Sequence, residues 1–195
     1  MSRCMRPALV RVYTRQRGTE RVTGKEFLMA VSNGKIDVVE LLLSLLGETG
    51  AAYAVVGGLA VNAYAEPLVS LDLDLVVVAE RLEALVAAAR ARGMKVERFA
   101  HSVNLAVAGS DLRIRLQTDS LYQDFVARSQ PRKVLGYDMS VASLEDVVRG
   151  KVWALSDDSR RRSKRQKDLA DLMRLVEAHP AIRDLLPPEI REQVG

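Results

Sequence analysis

The segment LDLDLVVV at residues 71–78 constrains the fold of this chain more than any other. Its near-continuous leucine and valine content is typical of a buried strand. Side chains alternate between the two faces of a strand, so Asp72 and Asp74 share one face while the leucines share the other. Two carboxylates on one face repel each other and lose hydration, and a divalent cation between them would stabilise the pair. The segment therefore predicts a core strand that presents an acidic pair to a ligand.

Two glycines, Gly57 and Gly58, end the preceding strand pattern AAYAVVGG just before a predicted helix, LAVNAYA. Because glycine has no Cβ, backbone N–H groups at such a turn can lie close to a phosphate. Carboxylates such as Asp72 and Asp74 suit Mg²⁺, which completes its coordination shell with water and substrate phosphates. A Gly-Gly turn or an Asp-x-Asp pair is common alone. Their combination on consecutive strands is more specific and predicts a site for Mg²⁺ and a phosphate group.

The remaining patterns predict further helices and strands in an order that defines the fold class. Apolar residues at helical spacing predict helices at 36–47, 80–92, about 120–128, 143–155 and 163–178. Strand patterns occur in MKVERF, VNLAVA, LRIRLQT and around KVLGY. Helices and strands alternate irregularly, which predicts an α+β or mixed α/β fold with a small mixed β-sheet flanked by helices.

Composition limits where such a protein works. The chain has 195 residues, of which 48% are hydrophobic, enough to bury a core without disulfides. A single cysteine, Cys4, cannot form an intrachain disulfide and favours a reducing compartment. No apolar run has the length of a signal peptide or a membrane span. We therefore predict a cytoplasmic protein without a membrane partner.

Positive charge is concentrated in two clusters, although the formal net charge is only +4. Residues 1–25 contain seven basic residues and one Glu, and RRRSKRQK at 160–167 contains six basic residues in eight positions. Such clusters favour phosphate-rich partners because binding releases counterions. They predict contacts with RNA, and a solvated helix face together with a loose tail is the alternative.

Lys151 interrupts an apolar stripe on the predicted helix at 143–155, where a core residue is expected. A lysine that points inward needs an anionic partner or a cavity, unless it extends its ammonium group to solvent. We expect it to hold triphosphate or transition-state charge. On the next predicted helix, Asp168 and Arg165 are expected toward the inner side, and Asp171 nearer to solvent.

The sequence VVGGLAVNAYAEPLVSLDLDLVV resembles the signature of the DNA polymerase β-like nucleotidyltransferase superfamily. In that signature a hydrophobic strand, Gly-Gly or Gly-Ser, and a spacer lead to Asp-x-Asp. Ser70 stands where many relatives have a small hydroxyl residue before the acidic pair. The remainder looks like the bacterial toxin-type transferases of the AbiEii class. These carry a lysine on one helix and an Arg/Lys-Asp-x-x-Asp motif on the next, which Lys151, Asp168 and Asp171 match.

The resemblance implies Mg²⁺-dependent transfer of NMP from an NTP, ATP among them, to an acceptor hydroxyl. It implies that the catalytic residues are Asp72, Asp74, Lys151 and Asp168, the first two of which bind the metal. The expected nucleotide-binding residues are Gly57, Gly58, Ser70, Lys151, Arg113, Arg115 and Arg165. A toxin of this class would have an antitoxin partner.

The sequence patterns also suggest a division of the chain, since residues 1–25 lack clear periodicity. A loose basic arm is expected at 1–25 and a nucleotidyltransferase core at 26–140. A C-terminal helical segment at 141–195 would complete the active cleft, because Lys151 and Asp168 have to reach the acidic pair.

One element of the superfamily pattern is missing. Polymerase-type members have a third carboxylate on a later strand, which here corresponds to LRIRLQT. That strand offers Arg113 and Arg115, and Asp111 and Asp119 only flank it. Either Asp168 supplies the general base or the chemistry is weakened, and the arginine pair could instead hold substrate phosphates.

Three functions compete at this point. The first is transfer of NMP to RNA, at a tRNA end for example. The second keeps the chemistry but modifies a small molecule, such as an aminoglycoside, or a protein side chain. The third is a degenerate, non-catalytic nucleotide- or RNA-binding module, which the missing third carboxylate would explain.

Overall fold

The computed structural model describes residues 23–33 and 36–194. Its helices are α1 (Gly24–Val31), α2 (Val38–Thr49), α3 (Gly57–Val61), α4 (Ala79–Ala91), α5 (Asp124–Ala127), α6 (Leu144–Ser156), α7 (Arg162–Ala178) and α8 (Pro188–Arg191). Its strands are β1 (Tyr53–Val56), β2 (Asp72–Val77), β3 (Lys95–Phe99), β4 (Ser102–Ala106), β5 (Arg113–Gln117), β6 (Gln130–Val134) and β7 (Tyr137–Val141). Short 3₁₀ helices occupy Ser120–Tyr122 and Pro180–Leu185. None of the helices in these ranges is long and apolar enough to cross a membrane.

The seven strands form one mixed sheet in the order β3-β4-β5-β2-β1-β7-β6. At its centre, β2 runs antiparallel to β1 and parallel to β5. β1 pairs in parallel with β7, and antiparallel hairpins form the two edges. The predicted mixed α/β fold is confirmed, and the strand that carries the acidic pair lies in the middle of the sheet.

β2 occupies the centre because one of its faces is wholly apolar. Leu73 and Leu75 are each 1% exposed, and Leu73 lies opposite the fully buried Ile114 of β5. Burial of each leucine side chain contributes about 1.5–3 kcal/mol to folding. The same alternation directs Asp72 and Asp74 to the other face, where α6 and α7 approach.

The strand predicted around KVLGY is instead a hairpin made of β6 and β7. Leu135 and Gly136 form its turn, with φ angles of 49° and 87°. Positive φ at both central residues belongs to a type I′ turn, whose twist matches that of the flanking strands. Leucine rarely adopts this conformation, so the sequence pattern indicates one continuous strand.

The first helix begins inside the stretch predicted to be a loose arm. The Thr23 hydroxyl accepts a hydrogen bond from the N–H of Glu26, and the Glu26 carboxylate accepts from the N–H of Thr23. This capping box sets the start of α1, so Gly24 and Lys25 are helical. The rest of the predicted arm, residues 1–22, lies outside the described residues.

Two C-terminal helices, α6 and α7, bring the second half of the site to the sheet. Ser143 caps α6, because its hydroxyl accepts from the N–H of Asp146. The two helices pack against each other, and both contact α3, which directly follows β1. Residues that are far apart in sequence therefore meet beside the Gly-Gly turn.

Candidate active site

Gly57, the first residue after β1, has a backbone conformation that favours glycine. Its φ is 69°, and a Cβ at this position would collide with Oδ2 of Asp74. Because Val56 lies opposite Asp74 in the antiparallel pair of β1 and β2, the chain leaves β1 beside that carboxylate. Gly57 thus provides the space in which the Asp74 side chain lies.

Gly58 faces a second group of polar side chains. A Cβ here would lie 3.7 Å from Ser70 Oγ and 3.8 Å from Lys167 Nζ, so both groups are neighbours of the turn. Ser70 is tied to the start of β2, since its Oγ donates to the carbonyl of Asp72 and accepts from the N–H of Asp72. The Gly-Gly turn and the start of β2 therefore form one wall of the site.

Asp72 and Asp74 are partly accessible on this wall, with 29% and 25% of their side chains exposed. Burial raises the pKa of Asp74, the guanidinium of Arg115 opposes that rise, and the neighbouring charge of Asp72 adds to it. The charge of Asp72 therefore disfavours ionisation of Asp74, and a bound cation would relieve that repulsion.

In polymerase-type members a later strand carries the third carboxylate, and the sequence LRIRLQT was predicted to correspond to it. This strand, β5, lies directly beside the acidic pair. β5 is parallel to β2, with Arg113 opposite Asp72 and Arg115 opposite Asp74. Arg113 Nε is 2.8 Å from Asp72 Oδ1, and Arg115 Nε is 3.8 Å from Asp74 Oδ1. Guanidinium groups therefore occupy the positions from which another carboxylate would face the pair.

Lys151 points inward from α6 and is 5% exposed. Its ammonium group donates to Asp168 Oδ1 at 2.9 Å and to Asp171 Oδ2 at 2.6 Å, so it does not extend to solvent. The expectation that Asp171 lies nearer to solvent is wrong, because this residue is only 4% exposed. Its spacing of three from Asp168 places both carboxylates on one face of α7, where Lys151 offsets the cost of burying them.

Asp168 is 2% exposed, and both of its oxygens are engaged by cations. Oδ1 accepts from Lys151, and Oδ2 accepts from Arg160 Nε at 2.8 Å. Arg160 lies in the loop between α6 and α7. Charge-assisted bonds of this kind are strong and directional, so Asp168 holds two cations in place at the cleft.

A chain of hydrogen bonds that no sequence pattern indicated connects α7 to the loop before β2. Arg174 Nη1 donates to Asp171 Oδ1 at 2.8 Å, and its Nη2 donates to Asn62 Oδ1 at 3.2 Å. Asn62 in turn accepts from the N–H of Leu68 and donates to its carbonyl. The loop that leads into β2 is therefore fixed to the buried network around Lys151. Arginine and asparagine are common on helix surfaces, so their spacing carries no signal.

Two adjoining cavities of about 100 and 60 Å³ lie between the sheet and the C-terminal helices. Both are lined by Asp74, Arg115, Lys151, Arg160 and Asp168. The larger one also contacts Gly57, Gln117 and Tyr122. The smaller one also contacts Gly58, Ser70, Asp72, Lys164 and Lys167. Most of the predicted site residues therefore meet in one cleft.

The cleft has an excess of positive charge. Five basic side chains line its two cavities against three carboxylates. Lys164 and Lys167 come from the first turns of α7, and Lys164 Nζ lies 3.7 Å from Asp72 Oδ2. A concave surface of this charge concentrates polyanions, which suits a triphosphate.

Two of the predicted nucleotide-binding residues do not line either cavity. Arg165 Nη1 lies 2.7 Å from Asp158 Oδ1, outside the cleft. The helical period places Lys164, Lys167 and Asp168 on the face of α7 that meets the cleft, and Arg165 falls beside that face. Arg113 contacts Asp72 but is 71% exposed and lines neither cavity.

Tyr122, which lines the larger cavity, belongs to an aromatic cluster that the sequence did not identify. Tyr122 packs edge-on against Phe125 and Trp153, with ring centroids 5.2 and 5.4 Å apart. Phe125 and Trp153 stack with ring centroids 5.8 Å apart, so Trp153 packs against other aromatic side chains of the protein. A Cβ on Gly150 would lie 3.4 Å from the Tyr122 ring, so Gly150 keeps that ring close to α6.

The described residues fit a divalent cation that protein and substrate hold together. Asp72 and Asp74 present hard oxygen ligands on one face of β2 and remain partly accessible. Within 23–33 and 36–194, no three or more His, Cys, Asp or Glu side chains group together in a way that could hold a metal ion. Two carboxylates completed by substrate phosphates and water are typical of Mg²⁺ sites.

The fold is similar to that of solved nucleotidyltransferases. The antibiotic-resistance factor ANT(2'')-Ia is 14% identical with a TM-score of 0.53, over 80% of this chain and 86% of that one. The lincosamide antibiotic adenylyltransferase LnuA is 12% identical with a TM-score of 0.53, over 73% and 99%. An antigenic nucleotidyltransferase-like protein from Paracoccidioides brasiliensis is 18% identical with a TM-score of 0.50, over 80% and 90%. At these identities the likeness establishes the nucleotidyltransferase fold.

Comparison by sequence identifies the family. No match was found among curated proteins. The family model for "Nucleotidyl transferase AbiEii toxin, Type IV TA system" matches residues 47–194, which include every residue that lines the two cavities. The match confirms the resemblance found in the sequence and favours an enzyme over a non-catalytic module. The chain is a nucleotidyltransferase and belongs to the AbiEii toxin family.

Proposed function

We propose that the protein is a toxin that transfers NMP from an NTP to a hydroxyl group of RNA and requires Mg²⁺. An antitoxin would be its partner. The observation that carries the proposal is the meeting of the acidic pair on β2 with Lys151 and Arg160 in one cleft. Carboxylates for a cation and fixed cations for phosphates are the two requirements of phosphoryl and nucleotidyl transfer.

The smaller cavity suits the triphosphate. Ser70 offers a hydroxyl group, and Lys164 and Lys167 offer two ammonium groups on the facing helix. Gly58 leaves this side of the turn free of a side chain, so phosphate oxygens can approach the backbone. When bound, Mg²⁺ would be held by Asp72 and Asp74 and would neutralise charge on the phosphates.

The reaction is an in-line displacement at the α-phosphorus. The oxygen of the acceptor hydroxyl forms a bond to that phosphorus as the bond to the β-phosphate's bridging oxygen breaks. Pyrophosphate leaves with the electron pair of the broken bond, and the hydroxyl proton passes to a base. Asp168 lines both cavities, and its carboxylate keeps lone-pair positions beyond those used by Lys151 and Arg160. It is the candidate for that base, and Lys151 and Arg160 would stabilise charge on the reacting phosphate.

RNA is favoured as the acceptor because positive charge continues outside the cleft. Arg161 and Arg162 are exposed next to Arg160, at the start of α7. They extend a cationic surface that a phosphate backbone can follow. The other predicted RNA contact, the N-terminal basic arm, lies largely outside the described residues and stays a prediction.

A small-molecule acceptor is the second candidate, because ANT(2'')-Ia and LnuA share the fold. A cationic drug would need free carboxylates in the acceptor pocket. The three carboxylates that line this cleft all lie within 4 Å of basic groups, which disfavours such a ligand.

Incubation with each α-³²P-labelled NTP, Mg²⁺ and total tRNA tests the proposal. We expect label on RNA from the wild-type protein and none from Asp74→Asn. Asp138→Asn is the matched control, because Asp138 is 82% exposed on β7, away from the cleft. RNA labelling that persists in Asp74→Asn would refute the role of the acidic pair. Label on an aminoglycoside supplied in place of tRNA, without label on RNA, would refute RNA as the acceptor.

A further inference from the structure

Arg113 and Arg115 lie on the same face of β5 but differ in their access to the cleft. Arg113 forms a close ion pair with Asp72 and projects away from both cavities. Arg115 lines both cavities, and its Nε lies 3.8 Å from Asp74 Oδ1, longer than a hydrogen bond. Its side chain is 51% exposed, so the N–H donors can turn toward a ligand in the cleft.

The cleft offers little support for a second divalent cation beside Asp74. Among the carboxylates that line the cavities, Asp168 is the remaining candidate, and the cationic groups of Lys151 and Arg160 that are bonded to its two oxygens would repel a metal ion there. A further cation next to Asp74 would also lie close to the guanidinium of Arg115, and like charges at such separations repel. The acidic pair therefore supplies ligands for one cation, with a fixed positive charge beside it.

We propose that Arg115 is a catalytic residue that takes the place of a second divalent cation, so that the nucleotide complex contains a single metal ion. This assignment rests on the proposed function and specifies how the same cleft stabilises the transferred phosphate. A guanidinium can donate to two phosphate oxygens at once and stays charged at any working pH.

In the transfer, Arg115 would donate to the non-bridging oxygens of the α-phosphate. As the acceptor oxygen bonds to phosphorus and pyrophosphate departs, charge on those oxygens changes, and a preorganised guanidinium stabilises it. The proton still leaves from the acceptor hydroxyl, so Arg115 neither gains nor loses one.

Counting bound Mn²⁺ by electron paramagnetic resonance tests the assignment without requiring turnover. Each α,β-methylene NTP is used as the nucleotide, because its methylene bridge prevents release of pyrophosphate. We expect one Mn²⁺ per nucleotide complex in the wild type, and two in Arg115→Asp, which places a carboxylate opposite Asp74. Two Mn²⁺ ions in the wild type, or one in Arg115→Asp, would overturn the assignment.

Transfer rates provide the second readout. Arg115→Gln is expected to lower the rate about 100-fold or more while still binding one Mn²⁺, and Arg115→Lys to recover part of the rate. Arg90→Gln, at an exposed position of α4, is the control and is expected to match the wild type. A wild-type rate in Arg115→Gln would contradict the assignment, provided that thermal unfolding shows a folded variant.

Failure of this assignment differs from failure of the proposed function. Two Mn²⁺ ions in the wild-type complex would leave the transferase intact and remove only the role of Arg115. If none of the α,β-methylene NTPs binds to the wild type, both the assignment and the proposed function fail.

Discussion

The cleft lies between a sheet wall, formed by β2 and β5 with the Gly-Gly turn, and a helical wall, formed by α6 and α7. The two walls differ in how far their ion pairs are buried. On the sheet wall, Asp72 and Asp74 are about a quarter exposed and face arginines that are 71% and 51% exposed. On the helical wall, the Lys151 side chain is 7% exposed between the carboxylates of Asp168 and Asp171, which are 3% and 5% exposed. The ion pairs of the sheet wall are therefore partly exposed, whereas those of the helical wall are buried.

This difference separates two roles for similar residues. An exposed ion pair contributes about 0–1 kcal/mol, so a ligand can replace it at little cost. Removal of one partner from a buried pair destabilises a protein by about 3–5 kcal/mol, because the other charge stays buried without compensation. Under the proposed function, the sheet wall would exchange partners on binding metal and nucleotide, whereas the helical wall would keep its geometry and position cations.

The largest expected effect comes from Lys151→Met, which leaves Asp168 and Asp171 buried with less compensation. We expect the free energy of unfolding to fall by about 3–5 kcal/mol, measured by urea denaturation. Lys133→Met, at a side chain that is 68% exposed, is the control and should change it by less than about 0.5 kcal/mol. Equal effects of the two variants would contradict a structural role of the buried ion pairs around Lys151.

Gly57→Ala tests the close packing of the Gly-Gly turn against Asp74. The substitution adds a Cβ against Asp74 at a position with φ of 69°. We therefore expect the free energy of unfolding to fall by about 1–3 kcal/mol and transfer activity to be lost. Gly47→Ala in α2 is the control, because a Cβ there meets nothing within 4 Å. It is expected to stabilise the protein by up to about 1 kcal/mol. A Gly57→Ala protein with wild-type stability and activity would rule out the close packing described here.

A matched pair of carboxylate variants compares the walls directly. Asp171→Asn is expected to lower the free energy of unfolding by about 1–3 kcal/mol, since Lys151 and Arg174 each lose a charged partner. Asp72→Asn is expected to cost less than about 1 kcal/mol but to abolish transfer. Denaturation and labelling assays on both proteins check this. The reverse order of stability would show that the sheet wall, too, is structural.

The smallest expected effect is that of Arg113→Gln, which removes an exposed partner of Asp72. The free energy of unfolding is expected to change by less than about 1 kcal/mol, and less still in high salt. Denaturation at two salt concentrations measures it. A larger, salt-independent loss would mean that the Asp72–Arg113 pair belongs with the buried network.

The sheet wall could be predicted from the sequence because its signals are local. Strand alternation fixes the face of Asp72 and Asp74, and Gly57 and Gly58 indicate the turn beside them. The inward position of Lys151 also follows from helical spacing. Each of these inferences uses residues within one element or two consecutive ones.

The helical wall could be predicted only in part, because its contacts depend on tertiary packing. Asp171 looks solvent-facing on an isolated helix, and only the packing of α6 on α7 buries it against Lys151. Arg174 and Asn62 meet through a contact that spans 112 positions of the chain. The turn at Leu135 was missed for a local reason, since leucine conceals a conformation that glycine would have indicated.

If the proposed function is right, the two walls of the cleft bind one and the same nucleotide. Isothermal titration of the α,β-methylene NTPs with Mg²⁺ into the wild type, Asp74→Asn and Arg160→Gln tests it directly. Both variants are expected to weaken binding, because Asp74 acts from the sheet and Arg160 from beside α7 on the same triphosphate. Wild-type affinity in either variant would contradict the claim.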